Sequence, residues 1–123
     1  MALALQQVRT TIKTVSGLDA IAGLWQITAP FFLGYSGIVS ATWNDIILGV
    51  AVLLLAGSRE VGENFKVSWP SWVNALIGVW FVIAPFAFGY SDNSTATMND
   101  IIMGMVIAVL ATWSALATPQ EQT

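Results

Sequence analysis

The chain has 123 residues, of which 56% are hydrophobic and 9% charged, with a mean hydropathy of +0.73 and a formal net charge of −3. Soluble domains carry about 25% charged residues, so lipid is expected to cover part of this surface, and with no basic run the sequence points away from a nucleic-acid partner. Cysteine and histidine are both absent, which removes disulfides and thiolate chemistry together with the commonest metal ligand and the commonest general base near neutral pH.

In chain order, residues 1–17 come first. Leu5, Val8, Ile12 and Val15 recur there at helical spacing beside Arg9 and Lys13. That pattern predicts a short amphipathic helix lying at the cytoplasmic membrane surface, against the plainer alternative of a frayed tail. Basic residues ahead of an apolar run resemble a signal peptide, but the run continues to Tyr35 and recurs downstream, so a retained segment is expected. Four apolar stretches follow: 18–35, 42–57, 72–90 and 97–117. A helix needs about 20 mainly apolar residues to cross a hydrocarbon core of roughly 30 Å. The first, third and fourth stretches meet this length. The second is short, and is expected to sit askew or to thin the bilayer locally. The organisation read from this pattern is a first two-span unit over 18–57, a cytoplasmic loop over 58–71, a second unit over 72–117 and a tail over 118–123.

The two units are copies. Setting residues 20–56 against residues 75–111, a constant offset of 55 without gaps, gives eighteen identities in 37 positions. They include Gly23/Gly78, Trp25/Trp80, Pro30/Pro85, Gly34/Gly89, Tyr35/Tyr90, Asn44/Asn99, Asp45/Asp100 and Gly49/Gly104. Each unit therefore reads G-x-W-x-x-x-A-P-F-x-x-G-Y-S, a short polar link, then A-T-x-N-D-I-I-x-G and an apolar tail.

This tandem pattern resembles the SPW repeat family of small bacterial membrane proteins over residues 18 to 112. The family name denotes a Ser-Pro-Trp motif near the end of the first helix of each unit; here those places hold Ala29-Pro30-Phe31 and Ala84-Pro85-Phe86. The resemblance implies a two-helix membrane unit and carries over no activity, cofactor or catalytic residue. The expected fold is all-α: a four-helix transmembrane bundle made of two tandem two-helix repeats, with the N-terminal interfacial helix ahead of it.

The four basic residues are Arg9, Lys13, Arg59 and Lys66. All precede the first span or lie between the second and third. The positive-inside rule then makes that side cytoplasmic, with both termini on it, in the inner membrane of a bacterium. Two units inserted the same way round are expected to be related by a pseudo-twofold axis along the membrane normal.

Asp45 and Asp100 are the leading acidic positions. Thr42-x-x-Asp45 and Thr97-x-x-Asp100 resemble capping boxes at helix starts, and the competing reading is an ion or proton site; Asp19 is expected to open the first span. Pro30 and Pro85 are expected to end their helices. Gly23 and Gly78 can admit a neighbouring helix, and Trp25 and Trp80 can fill space between the units. Gly104 with Ala108 has the spacing of a close helix contact, either within the chain or with a partner. Gln26, whose repeat mate is Phe81, is expected to bond across helices. Trp43, Trp69 and Trp72, with Tyr35 and Tyr90, are expected to form an interfacial aromatic belt. Asn93-Ser94-Thr95 matches a glycosylation sequon, a motif short enough to arise by chance.

No nucleotide loop, nucleophile elbow or metal-ligand spacing is present in the sequence, so no cofactor and no enzymatic activity are expected. The first functional reading is an accessory or structural subunit, or scaffold, that binds another membrane protein complex or forms a homo-oligomer in the lipid bilayer. The alternative is a small oligomeric transporter or channel, against which the helices are expected to lack the buried polar residues that a pathway needs. Lipid or quinone binding between the units, using Trp25 and Trp80, is a third.

Overall fold

A computed structural model describes residues 2–119. Helix α1 runs from Ala2 to Phe32, α2 from Val39 to Ser58, α3 from Trp69 to Ala87 and α4 from Ser94 to Ala117, with one 3-10 turn at Asn64–Lys66. Each helix packs on the next, and α4 closes the ring on α1. Neighbours run antiparallel, as hydrogen bonds between residues 16 and 114 and between residues 25 and 99 show for α1 and α4. Short links between antiparallel helices are the ordinary way to build such a bundle.

The expected surface helix is not a separate element. Residues 2–17 form the first half of α1, which continues unbroken to Phe32. Thr14, Val15, Ser16 and Gly17 at the junction are weak helix formers, but none is a proline, and a single glycine costs about 1 kcal/mol without breaking a helix. Ile12 and Val15 are buried, and α1 touches the Asn64–Lys66 turn. At 1.5 Å per residue, 31 residues span about 46 Å, well beyond a hydrocarbon core. Asp19, expected at a helix start, is therefore mid-helix. Met1 and the tail residues 120–123 lie outside the described residues.

Three helices, α2, α3 and α4, are long and apolar enough to cross a membrane by length and composition. The second span is not short: Val39–Ala41 and Ser58 extend it to 20 residues, enough for a full crossing. The α1 helix falls outside this group because Ser16, Asp19 and Gln26 dilute its apolar content, yet all three are buried inside the bundle. Its outward face carries Leu18, Ile21, Leu24, Phe31 and Phe32.

Both proline-bearing helices end as expected, within two residues of Pro30 and Pro85. Gly34 and Gly89 follow with φ of 80° and 77°, a conformation open to glycine without penalty. The Tyr35 and Tyr90 amides then donate back to the Pro30 and Pro85 carbonyls, both at 2.9 Å, which is the six-residue bond of a Schellman ending. This turn sends each tyrosine into the bundle rather than out to the interface.

Two layers of core follow the internal twofold. Ala29, Tyr35 and Ala41 meet their repeat mates Ala84, Tyr90 and Ala96 at one end. Ala22, Val52, Phe81 and Ile107 fill the middle. Within each unit the helices touch backbone to backbone. A Cβ placed on Gly23 would sit 2.8 Å from Gly49 O, and one on Gly78 would sit 2.6 Å from both Gly104 O and Ala108 N. The Gly104/Ala108 stripe is thus an intramolecular contact. Gly78→Ala is expected to destabilise the bundle by about 1–3 kcal/mol through overpacking. Gly37→Ala, with open space around its Cβ, is expected to stay within about 0.5 kcal/mol. Unfolding in detergent micelles compares the two.

Candidate functional site

The sequence places Asn-Asp one turn or more inside α2 and α4, and the structure turns both pairs into the core. Helix α2 is preceded by Ile38, with no side-chain cap, and α4 is capped by Asn93, whose Oδ1 accepts from the Ala96 amide at 2.9 Å. Asp45 and Asp100 therefore cap nothing. They lie in the second turn of their helices and are fully buried. The Thr42 and Thr97 hydroxyls donate instead to the Tyr35 and Tyr90 carbonyls at 3.4 and 3.3 Å, tying each helix start to the preceding turn.

Around these carboxyls the repeated residues interlock. The Tyr35 hydroxyl donates to Asp45 and the Tyr90 hydroxyl to Asp100, each within its own unit. The tryptophans reach across: Trp25 Nε1 donates to Asn99 Oδ1 at 2.8 Å, and Trp80 Nε1 to Asn44 Oδ1 at 2.9 Å. Asn99 Nδ2 bonds the Tyr35 hydroxyl at 2.9 Å and Gln26 Oε1 at 2.7 Å. Gln26 Nε2 in turn approaches Asp100 at 3.4 Å. Tyr35 and Tyr90, expected in an aromatic belt, are thus core residues, whereas Trp43, Trp69 and Trp72 are exposed as a belt requires.

The family comparison matches an SPW repeat domain over residues 13–114. The chain belongs to the SPW repeat family. No curated protein and no solved structure matches it. In this SPW repeat protein the residues that define the repeat are those of the interlock: Trp and Asn pair between units, Tyr and Asp within them.

A second polar layer lies at the opposite end and was not visible as a site in the sequence. Arg59 follows the last turn of α2, yet its side chain is fully buried. Nη1 donates to Ser71 Oγ at 2.8 Å, to Ser114 O at 3.0 Å and to Ser114 Oγ at 2.7 Å. Nη2 donates to the Phe65 carbonyl and to Thr118 Oγ1, the latter at 2.6 Å. Ser16 Oγ lies 2.9 Å from Ser114 Oγ, which brings in α1. One guanidinium so joins the link, α3 and α4 through five neutral acceptors. Burial draws it down to about 10, and it remains a cation at neutral pH. The offset of 55 held the clue: Arg59 has Ser114 as its mate and Ser16 has Ser71, so the layer is a symmetric ring in which one serine is exchanged for arginine.

Between the layers, Asp19 and its mate Asn74 are both buried. The expectation that the helices lack buried polar residues is therefore wrong. Ser16, Asp19, Gln26 and Asn74, each single along its helix, line the interior together with the Asn44-Asp45 and Asn99-Asp100 pairs. Among the described residues no group of carboxylates converges in a metal-holding arrangement. A shallow groove opens sideways between α2 and α3, lined by Trp43, Asn44, Ile47, Trp80 and Phe88.

Two substitutions probe the layers. Trp80→Phe keeps an aromatic side chain and leaves Asn44 Oδ1 without its indole donor, with an expected loss of about 0.6–2 kcal/mol. Arg59→Lys keeps the charge but cannot fork to the same acceptors, with an expected loss of about 1.5–3 kcal/mol for hydrogen bonds to a charged group. Reversible unfolding in mixed micelles reads both.

Proposed function

We propose that this membrane protein is a non-enzymatic accessory subunit or scaffold, which binds another membrane protein complex or a second copy of itself within the bilayer. One observation supports the reading most directly. The repeat-defining polar side chains are bonded to one another inside the bundle, and the links between helices within each unit are short. What is left for recognition is the lateral helix surface, with its exposed Leu, Ile, Val, Phe and Trp side chains. The orientation that goes with this reading is the one given by the basic residues, with the Arg59 end cytoplasmic in the inner membrane of a bacterium.

A second reading, a small oligomeric transporter or channel, is favoured by the carboxyls on the bundle interior. Ionisable residues at membrane depth commonly mark ion or proton pathways. Mild detergent extraction from native membranes, followed by identification of the co-purifying proteins, separates the two. The accessory reading expects a stable heterologous partner at fixed stoichiometry, or a defined homo-oligomer that is flux-inactive in liposomes. Ion flux in liposomes that Asp45→Asn and Asp100→Asn abolish would establish the transport reading in its place.

A further inference from the structure

The internal twofold gives the bundle two lateral seams, and the repeats make them unequal. At the α1/α4 seam, Asn99 Nδ2 is answered by Gln26 Oε1 at 2.7 Å and by the Tyr35 hydroxyl at 2.9 Å. At the α2/α3 seam the mate of Gln26 is Phe81, whose side chain offers no acceptor. There Asn44 Oδ1 accepts from the Trp80 indole at 2.9 Å, while Asn44 Nδ2 bonds Asp45 Oδ1 at 3.3 Å. A side-chain amide has two hydrogens to give, and the acceptor that Gln26 supplies at one seam is missing at the other. The helices part at this seam as well. Helices α2 and α3 pack less extensively than α1 and α4, and the groove between them has a volume of about 380 Å³.

The groove has an order of polarity along α2. Ser40 stands at its surface end, Asn44 one turn deeper, and Ile47 and Leu48 a further turn on. At 1.5 Å per residue these positions span about 12 Å. Trp80 and Phe88, whose rings meet edge to face at 5.6 Å, line it from the other side. No lining residue is charged, and Arg9, Lys13, Arg59 and Lys66 all belong to the opposite end. An ionic head therefore has nothing to grip inside the groove. What fits is an apolar chain with one uncharged acceptor near its top.

We propose that this groove seats one acyl chain of a glycerophospholipid from the leaflet at the Tyr35 end, with the ester carbonyl of that chain accepting from Asn44 Nδ2. The carbonyl supplies the acceptor that Phe81 lacks, and the methylenes lie along Ile47, Leu48 and the two aromatic rings. Depth agrees with this placement. The interfacial zone on each side of the hydrocarbon core is about 5–8 Å thick. Asn44 lies about 7.5 Å along α2 from Val39, where a headgroup gives way to its chains. The α1/α4 seam, with its asparagine amide already taken, holds no such lipid. This site is independent of both functional readings above.

Competition between ester and ether lipids tests the assignment. The full-length protein is placed in nanodiscs of equal parts dioleoylphosphatidylcholine and its diether analogue, which lacks only the carbonyls. It is then released into mild detergent, and native mass spectrometry reads the lipid it retains. One retained phospholipid is expected, with the diester favoured about fivefold, the ratio that about 1 kcal/mol of hydrogen bonding gives. Ile47→Trp is expected to lose that lipid by filling the groove, whereas Ile102→Trp, the same change at the mate position, keeps it. Both isoleucines are more than half exposed, at 58% and 52%, so neither change enters the core. Retention of no lipid, equal retention of the two lipids, or loss in both variants alike would overturn the proposal. So would an added isoprenoid quinone that displaces the phospholipid from the wild type and is itself lost from Ile47→Trp, since the groove would then be a quinone site. Should Ile47→Trp fail to fold, the ester-to-ether ratio of the wild type decides alone.

Discussion

Hydrocarbon offers a polar group nothing to bond to, so every donor and acceptor carried into the bilayer has to be answered by another part of the protein. In this bundle the answer crosses the boundary between repeats. The Trp25 indole is met by Asn99 and the Trp80 indole by Asn44. Neither two-helix unit completes its own inventory: taken alone, each would leave an indole N–H and an asparagine carbonyl unpaired. The doubling of the unit is thus a chemical requirement of the motif, over and above any need for a larger apolar core.

That interlock needs the helices close together and the tyrosines turned inward, and the rest of the motif supplies both. Gly23 against Gly49, and Gly78 against Gly104, let backbones touch within each unit. Pro30 and Pro85 stop their helices, and the glycines four residues on fold the chain back so that Tyr35 and Tyr90 land beside Asp45 and Asp100. The proline, glycine and tyrosine of the repeat act as one device: a helix stop that delivers a hydroxyl to a buried carboxyl. At the other end Arg59 performs the same service for a set of neutral acceptors on the link, α3 and α4.

Much of this was legible in the sequence, for identifiable reasons. Apolar runs and the offset of 55 give the helices, their number and the twofold, because periodicity and repetition are local properties of the string. The helix stops at Pro30 and Pro85 and the cross-helix role of Gln26 follow from single-residue chemistry. Partner identity does not. Thr42-x-x-Asp45 has the spacing of a capping box, but the chain already enters α2 at Val39, three residues earlier, so the motif falls a turn too deep to cap. Tyr35 sits at a helix end, where interfacial tyrosines belong, and only the left-handed Gly34 reveals that it points inward. Arg59 reads as a loop charge until its side chain is seen to fold back into the bundle. In each case the decisive fact is a direction in space, which linear spacing leaves open.

The places where the two repeats differ show what the twofold scaffold does not need. Gln26 corresponds to Phe81, Asp19 to Asn74 and Arg59 to Ser114. All three lie on the buried interior, where a symmetric bundle could carry the same residue twice. In each pair the more polar or charged member belongs to the first unit. Gln26 supplies the amide that bonds Asp100 and Asn99, while Phe81 fills the middle of the core, so one exchange both adds a donor on one side and closes the bundle on the other. A second buried charge at position 74 or 114 would set two carboxyls or two guanidiniums against each other near the axis, and like charges at close range in a medium of low dielectric are costly. At these positions the exchange leaves one ionisable group where symmetry would set two, whereas Asp45 and Asp100 keep both carboxyls, each answered by the tyrosine hydroxyl of its own unit.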